Sequence, residues 1–481
     1  MRLFPSLALA ATLTTSARAA APTDQPTPSN PHPPALNTAT CDYHGTTSPY
    51  DADYADFEDA LEGPSADLTS IRARLEKHQV GGASVAIIEA GRVTQVHWYG
   101  CRDRKRALRT TSSTLYQAAS LSKFVASVGM VHADRVGDLS LDDDLAELAE
   151  DFPDSFLADM VDHHFRRDAA DYPEDITVRR LLNHTAGLDT HSIGAWSPGN
   201  VPTMEDILLG SNDFDGYFDG GVEPLAVDGQ PGYHWSYSGG GYVVAEHILQ
   251  LQSPLAFKDY LRTHVLTPAG MTLSTFDKAS TSMSQLVRGC SHSTCSYDLQ
   301  QTNVKAAGGL LANAREYAEL VTALYWGGTT GRGNAAMTAA DVRAILTPAS
   351  ARNASYDACT TVGANRTVYL TIAGIRAPYA IETCIGGKWR VPIDADDDDG
   401  VSWYGLGVNL STELLADGYP RKVSHGGAQE GSRTFFELDR RDGDGIVIMI
   451  NGVAEWTDGN GIVWGAEPFL DEIHQAWHDV Y

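Results

Sequence analysis

Ser120-Leu121-Ser122-Lys123 sets the tightest constraint on this chain. A hydroxyl and an amine stand three residues apart, and Leu121, Phe124, Val125, Val128 and Val131 recur with a helical rather than an alternating period. At that spacing Ser120 and Lys123 share one helix face, one turn apart. Ser120 then lies at the helix N-terminus, where free N–H groups and the dipole favour a developing negative charge. A lysine held beside it and partly desolvated loses proton affinity and can accept the serine's proton. An ordinary N-cap serine with a solvated lysine has the same four-residue signature, so the rest of the chain must discriminate between the two readings.

The first residues read as an export signal. Met1-Arg2 gives a positive start, Leu3 to Leu13 is apolar, and Ala17-Arg18-Ala19 has the small-x-small form of a cleavage site, so residues 1–19 are expected to be removed. The apolar core is too short to span a bilayer, and no lipobox leucine precedes Cys41. Residues 20–40, rich in Pro, Thr and Asn, read as a linker, which leaves 41–481 as the folded part. The expected location is secreted or periplasmic, with no membrane insertion. A net charge of -27, from 35 basic and 62 acidic residues, argues against a nucleic-acid or anionic-membrane partner. Six cysteines, an even number in an exported chain, suggest disulfides. Cys290 with Cys295, Cys359 with Cys384, and Cys41 with Cys101 is one connectivity among several.

Along the chain, residues 67–80 read as an amphipathic helix, and Ala83–Glu89 and Val93–Tyr99 as strands of a hairpin around Ala90-Gly91-Arg92. Asp142, Asp143, Asp144, Glu147 and Glu150 fit a solvated helix start better than a metal site. His163-His164 has no third ligand at useful spacing and reads as surface. Leu181–Leu188 ends a helix at a glycine, and His184 there ties the turn by hydrogen bonds or takes part in catalysis. Three glycines, Gly239 to Gly241, then open a helix to Leu251 and imply a close backbone approach. Ser236-Tyr237-Ser238-Gly239-Gly240 falls short of the G-x-S-x-G elbow, because Ser236 replaces the first glycine and no strand precedes it. Ala306–Leu310 leads into a helix over 314–325. The acidic run Asp394–Gly400 looks like a calcium loop, but its glycine falls one place late and the closing glutamate is missing, so a solvated turn is the better reading. A second hairpin, Thr434–Leu438 with Ile446–Ile450, and an amphipathic helix over 466–480 close the chain.

In this order the blocks resemble the serine β-lactamase and penicillin-binding protein superfamily, its class C-like branch in particular. S-x-x-K stands at Ser120–Lys123, L-L-x-H-T-x-G-L at Leu181–Leu188, the tyrosine motif at Tyr237-Ser238-Gly239, A-G-G-L at Ala307–Leu310 and H-G-G at His425-Gly426-Gly427. The resemblance implies an α+β fold, an antiparallel sheet flanked by helices with a mostly helical insert. The sheet part would come from about 66–129 and 300–481, the insert from about 130–299, and 350–400 would be an extra insertion.

The resemblance also implies roles. Ser120 would attack a carbonyl and become acylated, with Lys123 and the Tyr237 hydroxyl sharing the proton traffic; the tyrosine could serve as a base only if nearby cations lower its pKa. The N–H groups of Ser120 and Ala428 would form an oxyanion hole. His425, Gly427, Ser238 and Gly239 would line the substrate site, His425 binding a carboxylate or completing the hydrogen-bond network. Two departures bear on substrate. Gly239 stands where the family usually has asparagine, and H-G-G replaces K-T-G, which removes a fixed cation. The expectation is an exported serine hydrolase acting on an ester, D-amino-acid peptide or amide ahead of a true β-lactamase. A catalytically silent binding or sensing protein of the same fold is the alternative. The partner is a small-molecule or peptide acyl substrate; no cofactor or metal is implied, and oligomeric state stays open.

Overall fold

The run Ile446–Ile450 has no polar residue and so leaves a strand no wet face. The computed structural model buries both of its faces. It describes residues 44–46, 71–103, 108–165, 176–188, 190–191, 201–211, 224–227, 229–278, 281, 285–291, 294–297, 303–350, 359–372, 375–386, 388–390, 392, 394–395, 402–429, 431–452, 455–457 and 463–481. The main sheet contains β1 (His44–Thr46), β2 (Gly82–Glu89), β3 (Arg92–Asp103), β4 (Asp394–Ala395), β5 (Ser402–Tyr404), β6 (Asn409–Leu410), β7 (Lys422–Gln429), β8 (Ser432–Asp439) and β9 (Asp444–Asn451). Their order is β1-β3-β2-β9-β8-β7-β6-β5-β4, with Leu108–Arg109 also paired on β3, and every pairing is antiparallel. Both expected hairpins are present, each a residue or more longer than its apolar run. The centre of the sheet joins β2 to β9, with Val85 opposite Ile448, so the two hairpins become neighbours from distant parts of the chain.

The helices used below are α1 (Ile71–Lys77), α2 (Ser122–Val136), α3 (Leu145–Asp151), α4 (Val178–Leu182), α5 (Gly239–Gln252), α6 (Ala314–Thr322) and α7 (Ala466–Val480). Period-2 alternation divides the sheet residues between two cores. Ala83, Val85, Ile87, Ile446, Ile448 and Ile450 pack against Leu75 of α1 and the Phe469, Leu470, Ile473 and Trp477 stripe of α7. Ala86, Ile88, Phe436, Leu438, Val447 and Met449 face the other way, into the larger core built with α2, α5 and α6. Helix α2 is buried at almost every position from Ser122 to Val131. Phe436 lies between Phe124 of α2 and Tyr317 of α6, with ring centroids 5.8 and 5.7 Å away.

The acidic stretch before α3 behaves as a helix start. Asp144 caps α3 by accepting the Glu147 N–H at 2.9 Å, and Asp142 takes Arg179 with two bonds of 2.7 and 3.0 Å. In the 350–400 region, Asn365–Ile372, Ile375–Ile385 and Lys388–Arg390 form a separate three-stranded sheet, and Cys359 is bonded to Cys384 as one of the sequence pairings expected. Cys101 is also in a disulfide. The leader, the linker, Cys41, residues 67–70 of the first expected helix, and Asp396–Gly400 lie outside the described residues, as do the side chains of His163, His164, Cys290 and Cys295. Among the described residues no helix is long and apolar enough to cross a membrane.

Because Phe436 is fully buried between α2 and α6, Phe436→Ala should cost about 3–5 kcal/mol of unfolding free energy. Urea denaturation followed by circular dichroism measures this, and a loss below about 1 kcal/mol would mean that α2 is not held to the sheet through this ring.

Candidate active site

Ser120 does not sit inside α2 but in a short 3-10 turn, Ala119–Leu121, that leads into it. The turn is unusual: Ala119 has φ +49°, in the left-handed region that a residue with a Cβ rarely adopts. The surroundings hold it there. Thr434 on β8 donates to the Ala118 carbonyl at 2.9 Å, Ser432 to the Gln117 carbonyl at 2.8 Å, and Tyr317 to the Leu121 carbonyl at 2.9 Å. From the other side, the Ala118 N–H donates to the Leu310 carbonyl at 2.9 Å, and the Leu310 N–H to Ser122 Oγ at 3.0 Å. Strand β7 presses on the same turn through Gly427. A Cβ there would stand 2.2 Å from Thr434 Oγ1 and 2.8 Å from the Ala118 oxygen, so only glycine lets β7 come this close. Ala428, next along β7 and exposed, is thereby placed beside the serine's turn.

Lys123 is 2 % exposed. Its Nζ lies 3.1 Å from Ser120 Oγ and donates to the Ala307 carbonyl at 2.8 Å. The rings of Tyr237 and Tyr242 flank it, with centroids 4.8 and 5.6 Å from Nζ. Desolvation lowers the lysine's pKa from its ordinary 10.5 to about 7. Around neutral pH much of it is therefore the free amine, a form that can accept a proton from Ser120. Tyr237 hydrogen-bonds Ser120, yet burial raises its phenol well above its ordinary value and the Ser120 bond offsets only part of that. The phenol is thus a proton donor in the resting site. The reading of Tyr237 as a base needs cations that lower its pKa, and the neutral environment here does the opposite.

Three other expected site residues, Ser238, Gly239 and His425, are buried with partners of their own. Ser238 is buried, its Oγ capping α5 by accepting the Gly241 N–H at 3.1 Å while donating to the Thr190 carbonyl at 3.2 Å. Gly239 is buried too, its N–H donating to the His191 carbonyl at 3.1 Å. Neither presents a free group to a substrate. His425 is buried, its pKa lowered to about 4 by desolvation and by Lys123, so at neutral pH it offers a carboxylate no charge. What remains is its place in a network. His425 Nδ1 lies 2.5 Å from the Gly426 carbonyl, and its Nε2 lies 2.9 Å from the Tyr404 hydroxyl. The carbonyl can only accept, so Nδ1 carries the proton and Nε2 accepts from Tyr404.

His184 ties its turn. It has φ +62°, and its Nδ1 accepts the Ser238 N–H at 3.1 Å while its carbonyl takes the Ser236 N–H at 2.9 Å. Both bonds fix the segment around Tyr237, whose ring centroid is 4.3 Å from the imidazole. Glu246 on α5 and Tyr404 on β5 were not singled out from the sequence. Glu246 is fully buried and accepts the Lys305 and Ala306 N–H groups at 2.5 and 2.7 Å. It therefore positions the chain that presents the Ala307 carbonyl to Lys123. Neither residue stands in a motif with a chemical signature; each acts through partners far away in sequence.

Comparison with known proteins agrees with this architecture. A family model described as Beta-lactamase matches residues 69–461. The chain is 29% identical over 203 residues to penicillin-binding protein 4* of Bacillus subtilis (strain 168), an alignment covering 41% of this chain and 38% of that protein. It is 24% identical over 226 residues to protein flp of Staphylococcus aureus (strain N315), covering 47% and 39%. The alignments thus span about two fifths of the length of these curated relatives. Among solved structures, the D-amino acid amidase from Ochrobactrum anthropi SV3 matches with a TM-score of 0.54 and 17% identity over 88% of this chain and 99% of that one. The octameric penicillin-binding protein homologue from Pyrococcus abyssi matches with a TM-score of 0.52 and 20% identity, over 79% and 72%. These likenesses show a β-lactamase/transpeptidase-like fold.

The depressed lysine pKa has a thermodynamic signature. An unfolded lysine keeps its proton up to about 10.5, whereas the folded one releases it near 7. Between those values the unfolded state binds more protons, so raising the pH stabilises the fold. Relative to Lys123→Met, the wild type should gain roughly 1 kcal/mol per pH unit between about pH 7.5 and 9.5. Urea denaturation of both proteins across that range measures it; a pH-independent difference would show that Lys123 keeps its ordinary proton affinity.

Proposed function

The chain belongs to the Beta-lactamase family, and on that premise we propose that it is a serine hydrolase working through an acyl-enzyme on Ser120. The observation that carries this reading is the 3.1 Å contact between Ser120 Oγ and the amine of a lysine that burial brings to about 7. Lys123 takes the hydroxyl proton as Oγ bonds to the substrate carbonyl carbon. The carbonyl electron pair moves to oxygen, and the N–H groups of Ser120 and Ala428 hold the oxyanion, where one such donor is worth about 10²–10³ in rate. Collapse expels the alcohol or amine. Tyr237, hydrogen-bonded to Ser120 and kept protonated, donates to that leaving group and is recharged from the Lys123 ammonium. Water then attacks the ester on Ser120 with Lys123 again as base, releasing the acid and restoring the serine.

For substrate we rank an ester, D-amino-acid peptide or amide above a β-lactam. Strand β6 pairs with β7 only at Val423 and Ser424, so beyond His425 that edge of β7 has no strand partner among the described residues. Gly426 and Ala428 are exposed there, and an added Cβ on Gly426 would meet nothing within 4 Å. An extended acyl chain can lie along such an edge, its amide groups answering the strand's. A neutral His425 and a side-chain-free Gly239 supply neither the cation nor the amide suited to an antibiotic's carboxylate and side-chain amide. The apolar leader and the Cys359–Cys384 disulfide support an exported enzyme. A silent binding protein would have no use for the uncharged lysine against Ser120.

The test is hydrolysis of an activated p-nitrophenyl ester by wild type and Ser120→Ala, with intact-mass detection of the acylated protein. Wild type should turn over with a rate that rises through about pH 7 as Lys123 loses its proton, and Ser120→Ala should fall by at least about 10³-fold without acylation. Equal rates in the two proteins would refute the assignment of Ser120.

A further inference from the structure

Helix α7 covers the sheet face opposite Ser120. On β8, Phe436 points toward α2, whereas Phe435 meets His474 of α7 with ring centroids 4.7 Å apart. Glu437 lies two places beyond Phe435 and so shares its face. His474 and His478 stand one turn apart on α7, their rings 4.5 Å from each other. His474 Nε2 is 3.6 Å from Glu437 Oε2, and His478 Nε2 is 3.9 Å from Glu437 Oε1. One donor atom from each of the three residues lies within 4.8 Å of the others. His474 Nε2 is itself buried, and its contact with Glu437 Oε2 at 3.6 Å is longer than a normal hydrogen bond, which leaves room for an ion between them.

We propose that Glu437, His474 and His478 form a binding site for a divalent transition-metal ion, zinc by the chemistry of its donors, that staples α7 to the central sheet. Two imidazoles and one carboxylate are a zinc donor set, with water in the fourth position. Zinc–ligand bonds of about 2.1 Å put tetrahedral ligand atoms about 3.4 Å apart, close to the 3.6 Å between His474 Nε2 and Glu437 Oε2, and a rotation of the exposed His478 brings its ring nitrogen from within 4.8 Å to that spacing. His478 is exposed, so the ion has a route in. Lys422 is the competing cation, its Nζ 2.8 Å from Glu437 Oε1. That bond leaves Oε2, the oxygen nearer His474, for the metal, and the half-exposed lysine can swing into water. The site lies on the other side of the sheet from the serine, so its role is to hold the fold.

The full chain, stripped with chelator and dialysed, is titrated with zinc chloride by calorimetry and melted with and without excess zinc. One ion should bind per chain at micromolar affinity or tighter, raise Tm by several degrees, and leave ester hydrolysis unchanged. Cobalt(II) in its place should give the intense visible absorption of a tetrahedral site. His478→Ala, an exposed substitution that leaves the core intact, should weaken zinc binding by at least about tenfold and remove the Tm shift, and His474→Ala should do the same. No binding by the wild type at millimolar zinc, or unchanged binding in both variants, would overturn the proposal.

Discussion

Lys123 is shut away from water between two tyrosine rings and a backbone carbonyl, and the surrounding structure maintains that desolvation. Charged, the buried ammonium would carry a penalty of several kcal/mol, and among the described residues no carboxylate answers it. The lysine therefore rests close to neutrality, its amine 3.1 Å from the Ser120 hydroxyl. The chain also packs closely on the backbone of α2 at Lys123. Gly407, with φ +74°, brings its backbone so close that a Cβ would stand 2.7 Å from the Lys123 oxygen and 2.8 Å from Ser127 Oγ.

Rigidity at the site comes from groups that never meet a substrate. Ala119 and His184, two of the few non-glycine residues with left-handed backbone among the described residues, stand beside the serine and beside the tyrosine. Each such residue stores about 1–3 kcal/mol of strain. Each is held by long-range bonds: Ala119 by β8, α6 and the 305–310 segment, His184 by the backbone that leads into α5. Glu246 is the hinge between these halves, since its helix begins at the tyrosine motif and its carboxylate fixes the loop that holds Lys123.

The local features of this fold were legible in the sequence because their partners are close along the chain. The Ser120–Lys123 contact follows from helical spacing, both hairpins from apolar runs around polar turns, and α7 from the period of Phe469, Leu470, Ile473 and Trp477. What the sequence could not show depends on burial, which spacing does not encode. Ser238 looks available in a string of small residues, but the start of α5 consumes its hydroxyl. His425 looks like a substitute for a lysine, but desolvation removes its charge. Tyr404, Glu246 and the Glu437–His474–His478 cluster were invisible for a different reason: each becomes meaningful only when strands and helices distant in sequence come together.

The pairing of β2 with β9 carries a consequence in time. A ribosome delivers the chain from its N-terminal end, so the serine and lysine emerge long before the strands that clamp their turn. Until β7 and β8 arrive, nothing presses Gly427 and Thr434 against Ala118, and the amine stays wet and charged. Non-local closure of this kind is slow, because the connecting chain must be ordered before the contact repays it. The turn that carries Ser120 is therefore completed late, once β7 and β8 have docked against it.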